Sequence, residues 1–188
     1  MRDPTISSFA VRLRDLLSTL EVTSLLGSAD IRMRGLGEQL QFACMAVPCE
    51  EALVAVELAS LGRLQVPGVA TAEAWKAVSH ELFLSGTPFA YLLGGGGAMA
   101  TELSDEDALL AALAPVLTTE PRQALLAPIR FGAAVAGGVV LLRTDPFDDR
   151  TMSMGERLAE VLALTLETHR TERVLLQLFA SMLPDLCG

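Results

Sequence analysis

The side chains in this sequence that could carry nucleophilic or redox chemistry are the cysteines Cys44, Cys49 and Cys187 and the histidines His80 and His169. A catalytic thiol needs a base or a positive charge beside it that stabilises the thiolate. No motif places a histidine beside Cys44 or Cys49, and the cysteines form no Cys-x-x-Cys pair. We therefore interpret both as reduced structural thiols, and keep a thiol-based redox enzyme or redox sensor using Cys44 or Cys49 as an alternative hypothesis.

Metal chemistry is not predicted either. His80 has no second His or Cys three or four residues away, the spacing that lets two helical side chains share a zinc ion. His169 stands among charged residues and is interpreted as facing solvent. The acids Asp145, Asp148 and Asp149 suit a turn and a helix entry, where carboxylates complement the helix dipole. The sequence thus predicts no catalytic residue, no metal site and no cofactor.

The charge and hydropathy of the chain exclude several classes of partner. Fourteen basic and 23 acidic residues give a net charge of −9, which disfavours a phosphate backbone as ligand. Residues 1–9 are polar and lack the apolar centre of a signal peptide. The most apolar window, residues 125–142, contains Pro128 and Arg130, so we predict two strands there and no membrane span. We expect a cytoplasmic protein that binds neither nucleic acid nor membrane.

The elements that position these residues are clearest in the segment 127–170. Val139 to Leu142 is an apolar run bounded by glycines and a Thr-Asp-Pro turn, which is typical of a central strand. Ser153 and Glu156 have capping-box spacing and predict a helix that starts near Ser153 and runs to Pro184.

The upstream region predicts an alternation of short helices and strands. We expect a connection over 28–37, a helix over 36–47, a hairpin of strands over 51–60 and 63–66, a helix over 71–83, a strand over 89–93, a flexible glycine loop over 94–97 and a helix from Ser104.

Apolar stripes at helical spacing mark both ends of the chain. One follows residues 4–20, and the other follows the last part of the C-terminal helix, which is longer than the sheet of one domain requires. Such stripes bury against their own domain or against a second copy. We predict an N-terminal helical extension over 1–30, a central domain over 31–170 and a helical extension over 171–188. The candidate dimer-interface residues are Phe9, Leu13, Leu16, Leu20, Leu175, Leu178, Phe179 and Met182.

Two segments resemble the GAF domain, a ligand-binding and dimerising module of bacterial and eukaryotic signalling proteins. Pro128-Ile129-Arg130, a glycine turn and Val135 to Leu142 are similar to that family's pair of central strands. Phe147-Asp148-Asp149 is similar to its entry into the closing helix. The order of the preceding elements extends the resemblance over residues 36 to 170. The signatures of cyclic-nucleotide-binding members, bilin-binding members and methionine sulfoxide reductases are absent.

The resemblance implies an α+β sandwich with a central antiparallel sheet of five or six strands flanked by helices. It also implies dimerisation through the terminal helices and a small-molecule pocket walled by the middle helices and loops. Four residues fall where that pocket is expected, and they are our candidates for a ligand site: Trp75, His80, Phe89 and Tyr91.

The function that follows is a non-catalytic regulatory domain. We expect a homodimer that binds a small molecule or a signalling partner protein and transmits the event through its C-terminal helix. An adaptor of the Roadblock or longin kind, which shares the order of elements, is a further alternative.

Overall fold

The computed structural model describes residues 29–57 and 62–186, with side chains described for residues 35–57 and 62–167. The predicted N-terminal helix, with Phe9, Leu13, Leu16 and Leu20, lies outside the described residues. The side chains of Leu175, Leu178, Phe179 and Met182 lie outside them too. One compact unit, Arg34–Thr165, contains the sheet, and residues 29–33 and 166–186 fall in a second unit.

Six strands form one antiparallel sheet in the order β3-β2-β1-β6-β5-β4. The predicted α+β class with an antiparallel sheet is therefore confirmed. In chain order the elements are α1 (Ala29–Ala46), β1 (Glu51–Glu57), β2 (Arg63–Ala70), β3 (Trp75–Phe83), α2 (Phe89–Leu93), β4 (Met99–Glu102), α3 (Ala108–Leu113), β5 (Gln123–Phe131), β6 (Ala134–Arg143) and α4 (Asp149–Leu186).

The hairpin of β1 and β2 is confirmed, but the predicted helix over 71–83 is wrong. Thr71 Oγ1 accepts hydrogen bonds from the amides of Glu73 and Ala74, at 3.3 and 3.1 Å, and this closes a turn before β3. The same acceptor pattern is expected of a helix N-cap, which is why the sequence misled. β3 is an edge strand with most of its side chains partly or fully exposed, so its apolar residues do not alternate cleanly.

The predicted strand over 89–93 is also wrong, because these residues form α2. Pro88 precedes the helix at φ −58°, a value that suits a helical turn, and Phe89 and Leu92 are buried three residues apart on one side of it. α3 begins at Ala108, later than predicted, because the Asp107 carboxylate accepts from the amides of Leu109 and Leu110.

Two helix starts differ from the prediction in the same direction. α1 begins at Ala29, so the connection expected over 28–37 is wrong for the described part, and Gly35 and Gly37 lie within the helix. α4 begins at Asp149, before Ser153, because Asp148 and Thr151 cap it reciprocally. The Thr151 amide donates to Asp148 Oδ1 at 2.8 Å and the Asp148 amide donates to Thr151 Oγ1 at 2.9 Å.

The core lies on both faces of the sheet. Gly155 of α4 packs against Leu125 and Leu141, and this brings the helix close to one face. The other face is covered by α2 and α3, whose apolar side chains interlock with those of the central strands. The buried residues of that second face include Leu53, Leu64, Val66, Leu126, Val140 and Leu142 from the strands and Phe89, Leu92, Leu109 and Leu113 from the helices.

Candidate functional site

The face of the sheet expected to carry a ligand pocket is filled by side chains of this chain. Phe89 and Leu92 of α2 are fully buried and lie over Gly138 of β6. A Cβ at Gly138 would stand 3.0 Å from Leu92 and 3.1 Å from Phe89, so the absence of a side chain there admits α2 to the sheet. Phe89, one of the predicted pocket residues, is thus part of the packed core.

Tyr91 occupies a different environment on the same helix. Its side chain is 57% exposed, and its ring lies against Gly96 of the glycine loop. Arg130 holds the same loop from β5, because its Nη2 donates to the carbonyl oxygens of Gly95 and Gly96, at 3.4 and 2.9 Å. An exposed phenol, a guanidinium and open backbone therefore meet at this point of the surface.

The remaining two candidates for the ligand site, His80 and Trp75, link strands to helices. His80 Nε2 lies 2.8 Å from the carbonyl oxygen of Ala112, so this nitrogen carries the proton and ties β3 to α3. Trp75 packs its ring against Gly37 of α1 and Gly68 of β2, which places it on the α1 side of the sheet. Trp75 therefore does not share a site with Phe89, and a ligand site around Phe89, Tyr91 and His80 stays a prediction.

A buried carboxylate that the sequence analysis did not single out joins the sheet to the loop after α3. Glu51 is 0% exposed and accepts from the amide and hydroxyl of Thr118, at 2.8 and 2.6 Å, and from the amide and hydroxyl of Thr119, at 3.4 and 2.7 Å. Four donors satisfy the carboxylate without a cation. The available signal was an acid beginning the apolar run 52–56, which a central strand rarely tolerates unless it is paired.

An apolar groove of about 580 Å³ lies between α1 and α4. Phe42, 64% exposed, and Val161, 52% exposed, line it, and Met45, 62% exposed, lies three residues after Phe42. Gln39 Nε2 donates to Thr165 Oγ1 at 3.0 Å across the two helices, whereas Gln39 Oε1 is buried with no hydrogen-bond partner among the described residues. The groove thus combines exposed apolar surface with an unsatisfied acceptor.

Cys44 and Cys49 lie together at the end of α1. Cys44 is buried, Cys49 is half-buried, and both are free thiols. A hydrogen bond from the Cys49 thiol lowers the pKa of Cys44 and raises the pKa of Cys49. Among the described residues no histidine forms a hydrogen bond with either thiol, and His80 bonds to the carbonyl oxygen of Ala112, so the Cys–His nucleophile pair considered from the sequence has no support here.

Two further properties bear on the kind of site. Among the described residues, no group of three or more His, Cys, Asp or Glu side chains could hold a metal ion. Within the same part of the chain, no helix has the length and the apolar character needed to cross a membrane.

Comparison with known proteins rests on structure alone, because no family profile and no curated protein matches this sequence. The GAF domain of a phosphoenolpyruvate-protein phosphotransferase from Acinetobacter superposes with a TM-score of 0.59 at 16% identity, covering 91% of this chain and 97% of that one. The chain has the fold of a GAF domain.

Two other GAF domains support this assignment. The blue-light absorbing form of the PixJ GAF domain from Thermosynechococcus elongatus matches with a TM-score of 0.58 at 16% identity, over 82% of this chain and 96% of that chain. The GAF domain of a two-component sensor histidine kinase from Bacillus halodurans matches with a TM-score of 0.56 at 12% identity, over 72% and 95%.

Proposed function

We propose that this chain is a non-catalytic regulatory GAF domain that works as a homodimer assembled through α1 and α4. Its structural neighbours include a domain of a sensor histidine kinase and a light-absorbing domain, which favours a role in signalling. The observation that carries the dimer is the apolar groove between α1 and α4, because exposed apolar patches of this kind mark association surfaces.

The apolar surface of the groove is more stable in contact with a second copy of the chain than in contact with water. Phe42 and Met45 expose more than half of their surface, and burying two such side chains in each subunit removes substantial apolar area from water. The predicted stripe of Leu175, Leu178, Phe179 and Met182 stays a second candidate surface for association of two copies.

The signal would pass from the α2–α3 face of the sheet to α4. α2 rests on Gly138 of β6 and α4 rests on Leu125 and Leu141 of β5 and β6, so the two central strands contact both layers. A small molecule or partner protein that shifts α2 would therefore act on the strands that support the dimer helix.

Sedimentation velocity with a matched pair of variants tests the dimer. Phe42→Glu places a charge on the groove, and Phe83→Glu places the same charge on an equally exposed phenylalanine of β3, outside the groove. We expect Phe42→Glu to sediment as a monomer and Phe83→Glu to remain a dimer. Dimers in both variants would reject the groove as the interface.

Ligand binding needs a separate test by thermal denaturation with a panel of metabolites and nucleotides. A true ligand raises the unfolding free energy by RT ln(1 + [L]/Kd), so the shift must grow with ligand concentration. Substituting Tyr91 by Ala should abolish the shift if the ligand contacts the surface formed by Tyr91, Arg130 and the glycine loop. No shift with any compound favours a domain that responds to a partner protein alone.

A further inference from the structure

We infer that two copies of this chain associate across the groove in antiparallel orientation, so that Glu38 of each copy pairs with Arg157 of the partner subunit. The inference rests on the dimer proposed above and specifies its symmetry, a two-fold axis that passes through the groove near Phe42. The two charged residues then select a second copy of this chain as the partner.

Two charged side chains stand out against the apolar lining of the groove. Among the described residues that line it, the charged ones are Glu38 on α1 and Arg157 on α4, and both side chains are exposed. Neither forms an ion pair or a side-chain hydrogen bond within the described part of the chain. Each charge is therefore available to a group from another molecule.

The two helices that form the groove run antiparallel to each other. At one end of the groove, Gln39 Nε2 of α1 donates to Thr165 Oγ1 of α4 at 3.0 Å. At the other end, Arg143 Nη1 donates to the carbonyl oxygen of Pro48, just after α1, at 3.1 Å, and Arg143 Nη2 donates to that of Pro146, just before α4. The end of α1 therefore lies beside the start of α4.

This antiparallel packing places the two charges at opposite ends of the groove. Glu38 precedes Gln39 by one residue, whereas Arg157 lies eight residues before Thr165 in the opposite direction. At a rise of about 1.5 Å per residue, the two charged positions are separated by roughly 13 Å along the groove. Phe42 is three residues after Gln39, about 6 Å from the level of Glu38 and therefore close to the midpoint.

The direction of the two-fold axis decides whether these charges meet. An axis along the groove leaves every residue at its own level, so Glu38 would stay about 13 Å from the level of the partner subunit's Arg157. An axis perpendicular to the groove exchanges the two ends. If it passes near Phe42, Glu38 faces Arg157 of the partner subunit, and symmetry produces the same contact a second time. Charge complementarity therefore favours the perpendicular axis and an antiparallel dimer.

The same axis places apolar surface at the centre of the interface. Phe42 is 64% exposed and Val161 is 52% exposed, and both line the groove between the two charged positions. An apolar centre with a charged rim is the usual composition of a specific protein interface. A partner with another charge at either rim position would leave Glu38 or Arg157 unpaired or opposite a like charge, which disfavours that partner.

Charge reversal in the full chain tests the pairing. Glu38→Arg sets two like positive charges against each other at both contacts, and Arg157→Glu sets two like negative charges there. We expect each variant to raise the dissociation constant of the dimer by about 100-fold, measured by sedimentation velocity over a range of protein concentrations. The difference from wild type should shrink in 1 M NaCl, where the Debye length is about 3 Å. Circular dichroism checks that both variants are folded.

Two combinations of these substitutions should restore association. A mixture of Glu38→Arg and Arg157→Glu should form a mixed dimer, which native mass spectrometry distinguishes by its mass from either homodimer. The double variant with both substitutions keeps the net charge of wild type and should dimerise as wild type does, because the two pairs are only exchanged. Glu156→Arg is the matched control, since Glu156 is exposed on α4 but does not line the groove, and it should leave the dimer intact.

Four results would overturn the inference. Charge-reversed variants that dimerise like wild type, while Phe42→Glu dissociates, reject the antiparallel pairing and leave the groove as the interface. A loss that neither the mixture nor the double variant restores, or an equal loss in Glu156→Arg, shows that the two charges do not pair with each other. A wild-type chain that sediments as a monomer rejects the proposed dimer itself. Failure of the dimer and failure of the charge pairing are therefore distinguishable.

Discussion

The amide and the hydroxyl of Thr118 both donate to one carboxylate oxygen of Glu51, at 2.8 and 2.6 Å. The amide and the hydroxyl of Thr119 donate to the other carboxylate oxygen. The loop after α3 is therefore fastened to the first residue of β1. Since β1 lies between β2 and β6 in the sheet, the fastening joins the α2–α3 layer to the centre of the fold.

Removing this carboxylate should destabilise the domain. We expect Glu51→Ala to lower the unfolding free energy by about 2–4 kcal/mol, because it leaves hydroxyl and amide donors buried without an acceptor. Urea denaturation followed by far-UV circular dichroism measures the change.

The neighbouring Glu50 provides the matched control. It also accepts from an amide and a hydroxyl, those of Thr144 at 3.0 and 2.6 Å, but it does so near solvent. We expect Glu50→Ala to cost less than about 1 kcal/mol, since water replaces the lost partner. Equal losses for the two variants would show that burial of Glu51 is not what makes it important.

Gly137 should not tolerate a side chain. It pairs with Val56 of β1, and a Cβ at Gly137 would collide with the backbone carbonyl of Ala55, which the sheet holds in place. We expect Gly137→Ala to destabilise the protein by about 3 kcal/mol or more, measured by thermal or urea denaturation.

Gly132 is the control position that distinguishes a steric collision from the strain of a left-handed backbone conformation. It lies in the turn between β5 and β6 at φ +62°, with open space where a Cβ would stand. Gly132→Ala should cost only about 1–2 kcal/mol, the penalty of a left-handed conformation. A cost at Gly137 no larger than that at Gly132 would contradict the close approach of β6 to β1.

The unfolding free energy at acidic pH should depend on the ionisation of Asp148. Hydrogen bonds from the amide and hydroxyl of Thr151 lower the pKa of Asp148, because they stabilise its charged form. In the unfolded chain the pKa returns to about 3.9. The unfolded state then binds the proton more readily, so this contribution is present above pH about 4 and is lost as the pH falls through the lower native pKa.

Asp148→Asn removes that titration. The difference in unfolding free energy between wild type and Asp148→Asn should be largest near pH 6 and should shrink below pH about 4, as read from urea denaturation at several pH values. Thr151→Ser, which keeps the hydroxyl, should retain the wild-type profile, whereas Thr151→Val should flatten it partly. A gap that stays constant with pH would exclude Asp148 as its source.

The elements that were predicted correctly from the sequence are the central strands, whose residues are apolar because both faces of the sheet are buried. Val139 to Leu142 is fully buried at the centre of the sheet, and the predicted strand there agrees with β6. The β1–β2 hairpin was found for the same reason. The α+β class and the GAF resemblance followed from these central strands and from the helix after Asp148.

The errors lie where tertiary contacts override local pattern. β3 is an edge strand, and the packing of Trp75 on Gly68 and the bond of His80 to Ala112 hold it in place, which the sequence does not display. α2 has five residues, too few for a helical period to be recognised, and its place depends on Gly138 below it.

The candidate site was harder to predict than the fold for a related reason. Cys44 and Cys49 are five residues apart in the sequence, and the sequence did not predict the hydrogen bond of 3.4 Å from the Cys49 amide to the Cys44 carbonyl oxygen, which depends on how the chain turns where α1 ends. Glu51 was overlooked because its partners, Thr118 and Thr119, are far away in the chain.

The last part of α4 supplies the final test of the proposed dimer. The helix continues through Leu186, and the sequence places Leu175, Leu178 and Phe179 on one stripe of it. If that stripe pairs with its copy, Leu178→Asp sets two carboxylates at an apolar contact, and the association should be lost. Gln177→Asp adds the same charge one position away from the stripe and should leave the dimer intact. Sedimentation velocity reads the oligomeric state, and circular dichroism checks that the helix content of both variants is unchanged. Should Leu178→Asp remain a dimer while Phe42→Glu dissociates, the interface would be restricted to the groove between α1 and the first half of α4.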